Sequence, residues 1–270
     1  MSRKIPLEKI EIDLPNEMFG PNSERKKAKA VVRDPIKTLA SMLIRNDVVG
    51  ENLENFNFEY TKSKSISTVT SGNFFKMTQK HIRSKWGENV HVLPILVSSD
   101  KTELTKLGKR TIWPIYVTCG NFSTKLMTSE KGSKLSGFCP YLPYNDEELK
   151  KMLDDYSFKK GKHKICLTIL KRYFEQKYFV YFLKGIKDCS EKGPIYLQIG
   201  TGPKSKLKLF MPVLMIFVGD NEGASQFLCI KSTKCNRPCR ICNVCKKQIH
   251  TPGNKRYVTL KNDTYIKLMI

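Results

Sequence analysis

His91-Val-Leu-Pro-Ile-Leu-Val-Ser-Ser-Asp100 and Ile112-Trp-Pro-Ile-Tyr-Val-Thr-Cys-Gly120 decide the fold class. Each is an apolar run of strand length, and the first ends in small polar residues and an aspartate. Pro94 and Pro114 lie inside the runs, which predicts edge or bulged strands. Working outward, Leu135–Leu142 reads as a third strand closed by Pro143. Upstream, Asp34–Asn46 predicts a helix: Asp34 suits the N-cap and Pro35 the first turn, and Ile36, Leu39, Met42 and Leu43 fall on one face. A second helix is predicted over Phe74–Trp86. Downstream, Asp146–Lys187 reads as largely helical, with apolar packing from Ile165 to Ile186. Strand character returns at Pro194–Ile199 and Leu207–Val218, the latter ending at Gly219-Asp220 before a short helix and a cysteine cluster. Strands and helices in this order predict a mixed α/β domain with no internal repeat.

The first 35 residues are polar and broken by Pro6, Pro15, Pro21 and Pro35. Their basic run, Glu24-Arg-Lys-Lys-Ala-Lys29, reads as a solvated linker ahead of a nuclear-import patch. Across all 270 residues, 48 Lys and Arg face 25 Asp and Glu, a formal charge of +23. Such a charge attracts polyanions, nucleic acid first and an anionic membrane surface second. The competing reading is a lysine-rich surface, because lysine is spread along the whole chain. The longest apolar run, Leu209–Val218, is about half the roughly twenty residues of a spanning helix. No apolar segment of signal-peptide type opens the chain, which predicts an intracellular protein. Nine cysteines in that compartment argue against a disulfide framework, and their clustering argues for metal.

Asp100 and Asp220 share a context: each follows a buried-looking strand and opens a loop. Two carboxylates converging at the C-terminal edge of adjacent strands suit two Mg²⁺ ions about 4 Å apart at a phosphodiester. Mg²⁺ is a hard cation that takes oxygen ligands. An aspartate in this position is more commonly a turn residue accepting backbone hydrogen bonds, so the pattern alone leaves both readings open.

Further motifs narrow the choice. Val97-Ser-Ser-Asp-Lys-Thr-Glu-Leu-Thr105 and Trp113-Pro-Ile-Tyr-Val-Thr-Cys-Gly-Asn121 stand ahead of Gly137-Phe-Cys-Pro-Tyr-Leu-Pro143. Met211-Pro-Val-Leu-Met-Ile-Phe-Val-Gly-Asp220 and Arg237-Pro-Cys-Arg-Ile-Cys-Asn-Val244 follow, and Asp34-Pro-Ile-Lys37 precedes them all. In that order they resemble the core of Plavaka-type, CACTA-like DDE transposases, from about residue 34 to 247. The resemblance implies an RNase H-like mixed sheet with flanking helices. Asp100 would be its first catalytic carboxylate and Asp220 its second, holding Mg²⁺ or Mn²⁺, with DNA as partner and the nucleus as location. Asn221-Glu-Gly-Ala-Ser-Gln226 departs from the family's segment after the second aspartate. The third carboxylate is expected on a helix well beyond the cysteine turn, for which the stretch up to Ile270 has no room. Glu222 and Asp263 are poor substitutes. The expectation is therefore an incomplete core.

Cys235, Cys239, Cys242, Cys245 and His250 form the densest chemical signal. Zn²⁺ takes four such ligands tetrahedrally, and Cys239-x-x-Cys242 has the spacing to grip one ion. Cys245 and His250 are the expected completing pair, with Cys235 the alternative. The opposing reading is half a site. Lys231, Lys234, Arg237, Arg240, Lys246 and Lys247 surround the turn as candidate phosphate contacts. Cys119, Cys139, Cys166, Cys189 and Cys229 read as core residues, and Trp113 and Tyr116 as packing rather than base-stacking. Gly200-Thr-Gly-Pro-Lys lacks the spacing of a phosphate loop.

The organisation expected is a basic polar segment over 1–33, a helical region over 34–90 and a partial RNase H-like core over 91–232. A zinc turn over 233–252 and a tail over 253–270 complete it. The function expected is that of a DDE transposase fragment that in complete form cuts and joins DNA by Mg²⁺-dependent transesterification. The alternative is a catalytically inactive derivative that binds DNA or a partner through its basic surface. Self-association is a further expectation, and contact with a membrane is not expected.

Overall fold

In the computed structural model, residues 6–13, 27–45, 47–49, 57–59, 67–100, 102–103, 111–139, 163–228 and 236 are described. In chain order the strands are β1 (Glu8–Asp13), β2 (Lys27–Val32), β3 (Val90–Ser99), β4 (Thr102–Glu103), β5 (Thr111–Ile112), β6 (Pro114–Cys119), β7 (Ser133–Phe138), β8 (Ile195–Ile199) and β9 (Lys206–Val218). The helices are α1 (Pro35–Leu43), α2 (Asn73–Trp86), α3 (Thr124–Met127), α4 (His163–Phe182), α5 (Lys184–Lys192) and α6 (Asn221–Phe227). The chain divides into two compact units, Met1–Val218 and Gly219–Ile270. The first contains every strand, and the second contains α6.

Seven strands make one mixed sheet in the order β1-β2-β7-β6-β3-β9-β8, and β4-β5 is a separate two-stranded ribbon. Strands β3, β6 and β7 form an antiparallel meander. The chain then passes through α4, α5 and β8 before β9 pairs parallel to β3. A parallel neighbour needs a long crossover, and the two helices supply it.

The prolines mislead about position. Pro94 lies in β3, which is flanked by β6 and β9 rather than at an edge. The ladder to β6 runs only from Ile95 to Ser99, and the Pro94 carbonyl accepts Gly120 N–H at 2.8 Å where β6 ends. A residue's N–H and C=O point to the same side of a strand. The donor that proline lacks is therefore missing where the ladder has already stopped. Pro114 opens β6, a position proline tolerates. Pro212 sits beyond Ile195↔Phe210, where β8 pairing ends. The expected irregularity is present as a register shift between β3 and β9 at Ile95/Leu96.

The N-terminal segment corrects the linker reading for Lys27–Lys29, while Glu24–Lys26 lie outside the described residues. Lys27–Val32 is a strand that pairs with β1 on one side and with β7, through Val31↔Phe138 and Val32↔Gly137, on the other. Lys-Ala-Lys-Ala-Val-Val and Glu-Lys-Ile-Glu-Ile-Asp both alternate polar with apolar residues, and Ile12, Ala30 and Val32 are buried. The charges on β1 blunt the sheet edge it forms.

The predicted helices hold where they are described; residues 146–162 of the third lie outside the described residues. The Asp34 side chain accepts Ile36 N–H at 2.7 Å and Lys37 N–H at 3.2 Å, with Pro35 in the first turn. Ile36, Leu39, Met42 and Leu43 are all buried, although the helix stops at Leu43 rather than Asn46. In α4, Leu170, Phe174, Tyr178 and Phe182 recur every fourth residue and are buried. Residues directly opposed in the ladder, Phe217, Val97, Val117 and Lys134, share one sheet face. That face is covered by α1, whose Ser41 meets Lys134, and by α4, whose Phe179 ring meets Phe217.

Candidate functional site

Two aspartates stand where β3 and β9 run out. The parallel ladder ends at Ser98↔Val218, and Asp100 and Asp220 each follow two residues later in sequence. The end of β3 is pinned: Ser99, buried, donates through Oγ to the Pro114 carbonyl at 3.0 Å, fastening it to the start of β6. Asp100 comes next and is exposed. Among the described residues no ion pair engages it. A carboxylate held by a pinned strand yet open to water is available for a cation at little desolvation cost.

Asp220, in the second unit, is also exposed, and it has a structural task. Its Oδ1 accepts Gly223 N–H at 2.6 Å while its carbonyl accepts Ala224 N–H at 2.9 Å. It is the N-cap of α6, the commonest use of an aspartate at such a junction. The cap engages one carboxylate oxygen.

Two residues before Asp100 in β3, one row across the sheet reads Leu135, Tyr116, Ser98 and Val218. On this side the sheet is open at the acid end, with Tyr116 40 % and Val218 52 % exposed. Trp113 is buried as expected, whereas Tyr116 is not the packing residue its strand position suggested.

The Thr118-Cys-Gly-Asn121 motif turns out to be a clamp. Asn121 is fully buried; its Nδ2 donates to the Asn57 carbonyl and its own carbonyl accepts Asn57 N–H, both at 2.6 Å. A Cβ on Gly120 would lie 2.8 Å from Leu96 Cδ1 and 3.0 Å from Pro94 Cγ, so any larger residue would make these side chains shift where β3 packs over the turn. Burial pushes the Cys119 thiol up to about 12, leaving it an inert core residue like Cys139 and Cys189. Gln79 is a second residue that sequence reading overlooked. Fully buried on α2, it donates Nε2 to the Val90 carbonyl at 2.8 Å and accepts Val92 N–H at 2.9 Å. A lone glutamine in a helix otherwise rich in lysine carries no signal of this role.

Nearby, His91 is buried beside the rings of Phe58 and Phe210. Desolvation first, then the cations Arg83 and Lys208, lower its pKa against the opposing pull of Glu59. It reads as a packed neutral histidine rather than a catalytic base.

Cys235, Cys239, Cys242, Cys245 and His250 lie outside the described residues, as do Lys231, Lys234, Arg237, Arg240, Lys246 and Lys247. Among the described residues no group of three or more His, Cys, Asp or Glu side chains is placed to hold a metal. Mg²⁺ commonly takes one or two protein carboxylates and completes its shell with water and substrate phosphate, so each of Asp100 and Asp220, taken by itself, has donor chemistry that suits that ion. Among the described residues no helix is long and apolar enough to cross a membrane.

No curated protein and no solved structure matches the chain. The family model described as Plavaka transposase matches residues 2–268, nearly its whole length. With the motifs from Asp34-Pro-Ile to the cysteine turn falling inside that match in order, the chain belongs to the Plavaka transposase family.

Proposed function

We propose that this chain carries the first two carboxylates of a DDE-type, RNase H-like transposase site acting on DNA phosphodiesters. The observation that carries the reading is the parallel pairing of β3 with β9, which makes neighbours of the two strands leading into Asp100 and Asp220. The antiparallel meander β3-β6-β7 beside that pair supports the RNase H-like assignment.

Asp100, and Asp220 through the oxygen its cap leaves over, would hold Mg²⁺ or Mn²⁺. When bound, the ions supply Lewis acidity toward the phosphate and stabilise charge on the attacking and departing oxygens. The chain's own part is to fix the carboxylates on pinned backbone and to offer positive charge to the DNA. In the reaction, water or a 3′-hydroxyl forms a new P–O bond in line. The opposite P–O3′ bond breaks, and the leaving oxygen takes up a proton. The cysteine turn is proposed as a structural zinc site with Cys239 and Cys242 as ligands, flanked by its six cations as phosphate contacts. Zinc content before and after thiol alkylation tests that part. A nuclear location belongs to the same reading.

The formal charge of +23 supports a second reading, DNA binding without cleavage. Nicking of supercoiled plasmid with Mg²⁺ or Mn²⁺ separates the two. Asp100→Asn and Asp220→Asn should each abolish nicking, while Asp220→Asn keeps a good N-cap and hence its helix. Nicking that survives both substitutions refutes the carboxylate assignment. Plasmid retardation without nicking in the unmodified chain selects the second reading.

A further inference from the structure

On the α1-covered face of the sheet, four cations lie close together with a single carboxylate, Asp47, paired to two of them. Lys134 on β7 is half-buried, and its Nζ contacts only the Ser41 hydroxyl, at 3.0 Å. Next along the strand, the Leu135 carbonyl accepts Arg33 Nη1 at 3.0 Å, while Arg33 Nε is buried without a hydrogen-bond partner. Just past α1, Arg45 grips Asp47 through Nε at 2.9 Å and Nη2 at 2.6 Å. Lys131 lies 3.9 Å from the same carboxylate. Among the described residues no acid pairs with Lys134 or Arg33.

An uncompensated cation at a half-buried position costs free energy, and proteins usually supply an opposite charge. Asp47 neutralises one of the four. The C-terminus of α1 contributes about half a negative charge at most. The Lys134 pKa is lowered, first by burial and then by Arg45 and Arg33, as expected of an ammonium that lacks an anion. Elsewhere on the surface, cations such as Lys187 and Lys192 have acids one helical turn away. The excess positive charge at the α1 face is thus local as well as general.

We propose that Arg33, Arg45, Lys131 and Lys134 form a phosphate-binding site whose ligand is the backbone of bound DNA. Ser41 orients the Lys134 ammonium. The choice of DNA as the source of phosphate rests on the proposed function; the phosphate chemistry of the site does not.

Anisotropy titrations of the full chain with a short DNA duplex, across a range of salt, test the DNA part. Lys134→Gln should lower the slope of log K against log salt by about 0.9, equivalent to roughly eightfold weaker binding at 0.1 M relative to 1 M. Lys187→Gln, whose charge is paired with Glu191, should change the slope less. Thermal scans in phosphate and in chloride at equal ionic strength test the site without DNA. The unmodified chain should melt higher in phosphate. Lys134→Met should melt higher than the parent in chloride, having lost an unpaired cation, and gain nothing from phosphate. A purely structural lysine would instead leave a destabilised variant. Phosphate stabilisation that Lys134→Met removes, in a chain that binds no duplex, keeps the site, assigns it to free phosphate and refutes the DNA reading. Unchanged salt slopes together with equal melting in the two buffers overturn the proposal.

Discussion

Gln79→Leu should cost about 3 kcal/mol although the residue touches no proposed ligand. Strand β3 has β9 on one side throughout, but on its other side β6 begins only at Ile95. At Val90 and Val92 the Gln79 amide stands in for that absent strand, donating to one carbonyl and accepting one N–H inside the core. Leucine fills a similar volume, strands the Val92 N–H and leaves the Val90 carbonyl only the long 3.5 Å contact from Arg83 Nε. Each buried group left without its partner costs about 1–3 kcal/mol, and the better burial of leucine offsets part of the total. At about 2–4 °C per kcal/mol for domains approaching this size, the melting temperature should fall by about 6–12 °C. Gln79→Glu sharpens the test. Its carboxylate keeps an acceptor for Val92 N–H but turns a second acceptor toward the Val90 carbonyl. Its folded pKa should therefore rise above the unfolded value of about 4.3. A raised carboxyl pKa destabilises at neutral pH, with the loss recovered as pH falls through the folded value, because the protonated form donates to Val90. Urea midpoints of both variants, measured against the parent from pH 7 down to about 4.5 and converted by a common m-value, check this. A loss under 1 kcal/mol for Gln79→Leu, with no recovery of Gln79→Glu at low pH, would refute the strand-substitute argument.

Three other outcomes follow from single contacts. A Cβ on Gly137 collides with the Tyr178 hydroxyl. Gly137→Ala should therefore lose about 1–3 kcal/mol to overpacking, and adding Tyr178→Phe should recover part of it in the same denaturation assay. Because burial lowers the His91 pKa, the unfolded chain takes up its proton first, near 6.5, and stability should drop as pH falls below that value. His91→Gln should flatten that limb of the stability profile, and an unaltered profile would assign the limb to other groups. Removing the α1 cap with Asp34→Ala should cost about 1 kcal/mol, while Asp34→Asn should cost little, both read from thermal midpoints.

The sequence announces the core through period and burial. The run around Val92–Val97 is apolar because both faces of that strand are covered over most of its length, whereas Ile115–Cys119 buries Ile115, Val117 and Cys119 and leaves Tyr116 exposed. Asp34-Pro-Ile names its own helix, since a cap and a proline act on backbone within one turn. The N-terminal strands were harder to see because β1 and β2 are partly exposed and alternate charge with small apolar residues, a pattern easily taken for a solvated run. Prolines in β3 and β9 mislead for another reason. Whether a missing donor matters depends on where a neighbouring strand stops, and that is set by residues distant in sequence. Asn121 and Gln79 are invisible for the same cause: a side chain that substitutes for backbone pairing leaves no periodic trace.

At the acid ends the legible and the hidden meet. An aspartate after a strand was readable at Asp100 and Asp220 alike, but the two are not equivalent. Asp100 follows a strand fixed on both sides and has no described task of its own. Asp220 caps a helix that needs it. A residue with only a structural duty tolerates asparagine, whereas a metal ligand does not, because the amide lacks the negative charge Mg²⁺ demands. The contrast between Asp220→Asn and Asp220→Ala is therefore more informative than either alone. Equal stability but unequal nicking between the parent and Asp220→Asn would separate chemistry from capping.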